Sequence, residues 1–156
     1  MSTVQVQIQI AAAPQIVWDT VMDPSKLNEW VTIHRSVKLR SEDPTREGAR
    51  MDQVLHIFGV SFKVHWTLEH VSPPREAEWH GSGPALSKAL IRYRLKAIPE
   101  GTLFDYVNEF HTPGGPLGNA ASRMVVGQLP EREARESLTR LKAFVEGRAM
   151  SPGETD

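Results

Sequence analysis

The chain offers six histidines, two tyrosines and four tryptophans, and it has no cysteine. Without a thiol, disulfides, thiolate metal sites and cysteine nucleophiles are excluded. The histidines show neither the HExxH nor the HxH spacing that brings two imidazoles onto one metal ion, so no metal site is expected. No serine sits in a GxSxG elbow. The glycine-rich stretches GSGP at 81–84 and PGGPLG at 113–118 lack the GKS/T ending of a phosphate loop and read as turns. No dinucleotide fingerprint is present, and no cofactor is expected.

Two groups of residues remain for chemistry. In WVTIHR, Trp30 closes a short helical stretch and His34-Arg35 opens a strand. With Val37 and Leu39 inward, alternation sends Arg35 inward and His34 outward. An inward arginine at a cavity mouth could clamp a carboxylate or phosphate, although a rim cation reaching for water is the plainer reading. The pair is therefore read as a pocket edge rather than as catalytic. The second group is polar and aromatic: Gln53, Trp66, Trp79 and Tyr93 fall on positions that strand alternation turns inward.

The elements that must hold these residues follow from periodicity. VQVQIQI alternates strictly, with Val4, Val6, Ile8 and Ile10 on one face, as in a strand covered on one side. Pro14 suits a first helical position, and Val17, Trp18, Val21 and Met22 share a helical face. Asp23 is a candidate cap for a second short helix ending near Trp30. Strands are expected near 33–41, 49–58, 61–72, 76–82, 87–98 and 102–111, separated by turn signals. A type II′ turn at Gly59-Val60 would pair Ile57 with Phe62, Leu55 with Val64, Gln53 with Trp66 and Met51 with Leu68. Leu117 to Arg148 has helical spacing, with one stripe at Leu117, Ala121, Met124 and Val125 and another at Ala134, Leu138, Leu141 and Val145. Pro130 between them predicts a kink or break. Residues 151–156 are expected to be a loose tail.

At 156 residues the chain suits one domain with a real core. A net charge of −1 lacks the basic excess of a nucleic-acid binder. The start has no basic n-region, and no apolar run approaches a membrane span, so a cytoplasmic location without stable membrane insertion is expected. With no crossover helix among the later strands, the sheet should be antiparallel. The expected fold class is α+β: a curved seven-stranded antiparallel sheet, two short helices after the first strand, and a long C-terminal helix over the inner face. A curved sheet and one helix do not close completely, and what stays between them is a cavity.

The runs APQIVWDTVMDPSKLNEW, VHWTLEHVSPP and GTLFDYVNEFHTPGGPLG resemble the START-like superfamily, also called SRPBCC or helix-grip, in its polyketide cyclase/dehydrase and lipid-transport branch. The resemblance spans residues 3 to 147 and implies one such domain over about residues 1–150. It also implies that Tyr106 and Asn108 face inward with Phe104 and Phe110, and it gives Trp30 a place at the pocket lid or the helix junction. Gln53, Tyr93, Tyr106 and Asn108 would then supply four polar groups to one inner surface. Leaving each unpaired costs ~1–3 kcal/mol, so a ligand or ordered water is their natural partner.

The expected function is therefore binding of a hydrophobic or amphipathic small molecule, lipid or polyketide-like. Trp30, Arg35, Gln53, Trp66, Trp79, Tyr93, Tyr106 and Asn108 are the candidate ligand-binding residues. A ligand would gain access past Trp30 and the loop at 81–86. Aromatase/cyclase members carry a catalytic arginine four residues past the hairpin tryptophan. Counted from Trp66 that place holds His70, which alternation puts on the Trp66 side. His70 is thus the one catalytic candidate, while Val37 stands where a cavity tyrosine would be expected. WVTIHR also resembles actinobacterial members recorded as toxins of toxin–antitoxin pairs. The alternatives to a binding module are accordingly a cyclase/dehydrase-type enzyme and a toxin-like interaction protein. A homodimer or a small protein partner stays open.

Overall fold

In the computed structural model, residues 2–57, 59–111 and 128–149 are described. Strand β1 (Ser2–Ile10) leads into helix α1 (Pro14–Val21), with Pro14 in its first turn. Asp23 then accepts from the Ser25 amide at 3.0 Å and starts a 3₁₀ turn, Pro24–Lys26, that runs into the single-turn helix α2 (Leu27–Trp30). Six strands follow: β2 (His34–Leu39), β3 (Arg50–Ile57), β4 (Val60–Ser72), β5 (Glu76–Ser82), β6 (Lys88–Ile98) and β7 (Gly101–His111). The sheet is curved and antiparallel throughout, in the order β1-β7-β6-β5-β4-β3-β2. Helix α3 (Gln128–Ala149) closes the fold.

Why α3 sits where it does can be read from its residues. Ala134, Leu138, Leu141 and Val145 are all buried, as their spacing predicts. Polar contacts fix it against β1 and α2. Lys142 donates to the Gln9 carbonyl at 2.7 Å, Glu146 accepts from the Ala11 amide at 2.8 Å, and Ser137 accepts from the Thr32 amide at 3.1 Å. Pro130 lies near the start of the described part of α3, and the residues before Gln128, on which the expected kink or break turns, lie outside the described residues. The Leu117–Val125 stripe lies outside the described residues.

Three local departures from regular strands correct the expected geometry. The β3–β4 turn lies between Ile57 and Val60, and Gly59, at φ 77°, is its second central residue rather than its first. Ile57 therefore pairs with Val60, Leu55 with Phe62, Gln53 with Val64 and Met51 with Trp66. The slip is two residues, so every side chain keeps its face. In β2 an extra residue, Arg35, sits between the pairs His34–Leu55 and Ser36–Val54. That bulge reverses the alternation: His34 turns toward Gln53 and Arg35 is exposed. In β4 a second bulge at Glu69, between Leu68–Trp79 and His70–Glu78, carries the exposed His70 to the outer face.

The β2 bulge has an electrostatic consequence. The indole nitrogen of Trp66 donates to Gln53 Oε1 at 2.9 Å, and Gln53 Nε2 lies 2.8 Å from His34 Nδ1. An indole can only donate, which fixes the amide orientation. The amide nitrogen must then donate to His34, so Nδ1 accepts and the neutral ring carries its proton on Nε2. Burial lowers the His34 pKa from its ordinary 6.5, in the same direction. On the outer face the Asp52 carboxylate accepts from His65 Nδ1 at 2.7 Å and from Arg40 Nε at 2.8 Å, and both hold its pKa below the usual carboxylate value.

Protonating His34 would turn two donors toward each other, so the unfolded chain takes the proton first. Its contribution is complete above about pH 6.5 and is lost as pH falls through that value toward the lower folded one. Melting temperature measured from about pH 7.5 to about pH 5.5 should fall more steeply for the wild type than for His34→Gln, and nitrogen-15 NMR should find the Nε2–H tautomer. A Cβ on Gly81 would meet the Trp66 ring at 2.6 Å and Val64 Cγ1 at 2.7 Å. Gly81→Ala should accordingly lower stability by ~1–3 kcal/mol in chemical denaturation.

Candidate functional site

Beneath α2 and above the strands is a cavity of about 110 Å³. A buried water needs ~10–15 Å³ on the same scale, so the space exceeds what a single one requires. The helical side is lined by Val21, Met22, Leu27 and Trp30. The sheet side is lined by Met51, Gln53 and Leu55 of β3, Phe62, Val64 and Trp66 of β4, and Trp79 of β5. Ala89, Ile91 and Tyr93 of β6 continue it to Tyr106, Asn108 and Phe110 of β7. Each strand contributes alternate residues, as a pleated surface must.

Seven of the eight expected ligand-site residues therefore share one cavity wall: Trp30, Gln53, Trp66, Trp79, Tyr93, Tyr106 and Asn108. Arg35 is not among them, since the bulge turns it to solvent. His70 is not either, and its partner across the sheet, Glu78, is engaged on the outer face with His80 and Arg92. Trp30 is only 1% exposed, and its ring packs 6.1 Å from Tyr93 and 6.4 Å from Phe104. The loop Gly83–Ser87 is different: Ala85 and Leu86 have φ of 54° and 63°, and Leu86 is 81% exposed.

The polar groups on the wall divide into spent and unspent. Gln53 is spent on Trp66 and His34. Asn108 donates from Nδ2 to the Tyr106 hydroxyl oxygen at 3.2 Å, which leaves the Tyr106 proton and the Asn108 carbonyl unengaged among the described residues. The Tyr93 hydroxyl has no hydrogen-bond partner among the described residues. The buried indole nitrogens of Trp30 and Trp79 have none either. Composition could have pointed to these two donors, since a buried indole carries one donor that wants a partner. Counting only the obviously polar side chains missed them. Burial, with the neighbouring Tyr106, raises the Tyr93 phenol well above its ordinary value. Burial also pushes Tyr106 up to about 12 against the opposing bond from Asn108. Both phenols are thus neutral donors near pH 7. Among the described residues no carboxylate, lysine, arginine or histidine lines the cavity. No group of three or more acidic or imidazole side chains among them is placed to hold a metal ion.

The comparisons with known proteins agree with this architecture. An uncharacterized Mycobacterium tuberculosis protein is 29% identical over 131 residues, covering 83% of this chain and 92% of its own. A Mycobacterium tuberculosis toxin is 21% identical over 140 residues, covering 88% and 94%. A crystal structure of a Thermus thermophilus protein superposes with a TM-score of 0.73 at 17% identity, covering 96% and 99%, which is a likeness of fold. No helix among the described residues is long and apolar enough to cross a membrane. The family model described as polyketide cyclase/dehydrase and lipid transport matches residues 1–146, and the chain belongs to that family.

Proposed function

We propose that the protein binds a hydrophobic or amphipathic small molecule, lipid or polyketide-like, in the cavity between its sheet and helices, with the chain to about residue 150 acting as one domain. The observation that carries this reading is an apolar space whose wall holds donors without a partner among the described residues: the buried Trp30 and Trp79 indoles, with the Tyr93 and Tyr106 hydroxyls beside them. Apolar surface removed from water contributes ~25 cal/mol per Å², and an unmet buried donor costs ~1–3 kcal/mol. A ligand that fills the space and meets the donors gains on both counts. The family's range, cyclases and lipid carriers, supports a hydrophobic ligand. Trp66, Tyr106 and Asn108 shape the wall in this reading. Gly83–Ser87, with exposed Leu86, is the segment through which a ligand would reach it.

The cyclase reading has less support in the residues. His70 is on the far side of the sheet, and no charged or imidazole side chain among the described residues faces the cavity to move a proton. A toxin-like surface role rests on the 21% likeness to the mycobacterial toxin.

Titration with Nile red, a neutral dye, should give a saturable fluorescence rise with the wild type. Ala89→Trp, which fills the floor of the cavity, should weaken it about tenfold or more while the fold persists by circular dichroism. Equal binding by the two proteins would place the dye, and the proposed role, elsewhere. Native mass spectrometry of the protein purified from its own host should show a co-purifying small molecule.

A further inference from the structure

On the basis of the binding role proposed above, we infer that the ligand is uncharged and presents a carbonyl oxygen to Tyr93 and Tyr106, and that carboxylates are rejected. The two tyrosines are direct cross-strand partners on β6 and β7, with rings stacked 6.1 Å apart at 29°, so their hydroxyls extend from the same face of the sheet side by side. Each has a proton to give. Tyr93 has no partner among the described residues, and Tyr106 already accepts from Asn108, which leaves its own O–H to point elsewhere. A carbonyl oxygen has two lone pairs and can take both bonds at once.

The rest of the wall agrees in sign. The Trp30 and Trp79 indoles can only donate, and the Trp30 ring lies 6.1 Å from Tyr93. Gln53, which could have offered both a donor and an acceptor, is occupied by Trp66 and His34. Among the described residues the wall thus holds four unmet donors, the two indoles and the two phenols, against one free acceptor, the Asn108 carbonyl, so the surplus is of donors and the missing partner is an acceptor. A purely hydrocarbon ligand would leave those donors unmet. A carboxylate would meet them but would be stripped of water with no cation facing it among the described residues. An uncharged ketone, quinone or ester carbonyl on an apolar body satisfies both constraints.

Three probes of one shape separate the cases: 2-acetylnaphthalene, 2-ethylnaphthalene and 2-naphthoate, measured by equilibrium dialysis against the full chain near about pH 7.5. The ketone should bind about tenfold more tightly than the ethyl compound, the worth of a well-made hydrogen bond, and more tightly still than the carboxylate. Its carbonyl stretch should move to lower frequency on binding. Tyr93→Phe keeps the ring and should bring the ketone-to-ethyl ratio close to unity, with a smaller infrared shift. Equal binding of ketone and ethyl compound, or carboxylate binding as tight as the ketone's, overturns this inference and leaves apolar binding standing. Failure of all three to bind also overturns it, and the Nile red titration then shows whether the binding role falls with it.

Discussion

A single helix cannot cover a seven-stranded sheet, and the architecture follows from that shortfall. Strands lie ~4.8 Å apart, so the sheet is roughly 30 Å across, whereas a helix with its side chains is ~10 Å wide. Helix α3 is tied to the β1 side and to α2 by Lys142, Glu146 and Ser137. Its apolar stripe is buried there, and the inner face toward β3, β4 and β5 is left for other cover. Helices α1 and α2 supply part of it through Val21, Leu27 and Trp30. Among the described elements, the part they leave uncovered borders the cavity. Curvature brings the walls together far enough for Trp30 to reach Tyr93 and Phe104, but not far enough to fill the space.

The wall of that space is polar in a particular way. A core that merely tolerated Tyr93, Tyr106, Gln53 and Asn108 would be expected to pair them with one another. Gln53 does find partners, and in doing so it ties the edge strand β2 to β4 through His34 and Trp66. Tyr106 and Asn108 are half satisfied. The Trp30 and Trp79 indoles are buried without a partner among the described residues, and the Tyr93 hydroxyl makes no hydrogen bond to any of them. The unmatched groups lie along the cavity, not scattered through the core.

Most of the fold was legible because period-two alternation is a strong signal wherever one face is buried. Val4, Val6, Ile8 and Ile10 announced β1, and Ala89 through Leu95 announced β6. The stripe Ala134, Leu138, Leu141 and Val145 announced the closing helix. Even the misplaced turn at Gly59 did no harm to the facing of side chains, because its error was an even number of residues. What the sequence concealed was odd-numbered. One extra residue at Arg35 and one at Glu69 each inverted the alternation beyond it, exchanging His34 for Arg35 and taking His70 out of the interior. A bulge leaves no period of its own. It is set by pairing with a neighbouring strand and so is invisible to a one-dimensional reading. The orphan indoles were hidden differently, by the habit of counting tryptophan as hydrophobic.

The same bulge in β2 guards the open flank of the sheet. β2 is the last strand of the order, and its outer rim of main-chain amides and carbonyls is a template on which a foreign strand could grow. Arg35 breaks the even spacing that such growth needs, and the exposed Arg35 and Lys38 put charge along the strand. A small protein that keeps its interior partly hollow gives up cohesion it might have used against aggregation. Here, cationic side chains and one misfit residue along the rim make up part of that loss.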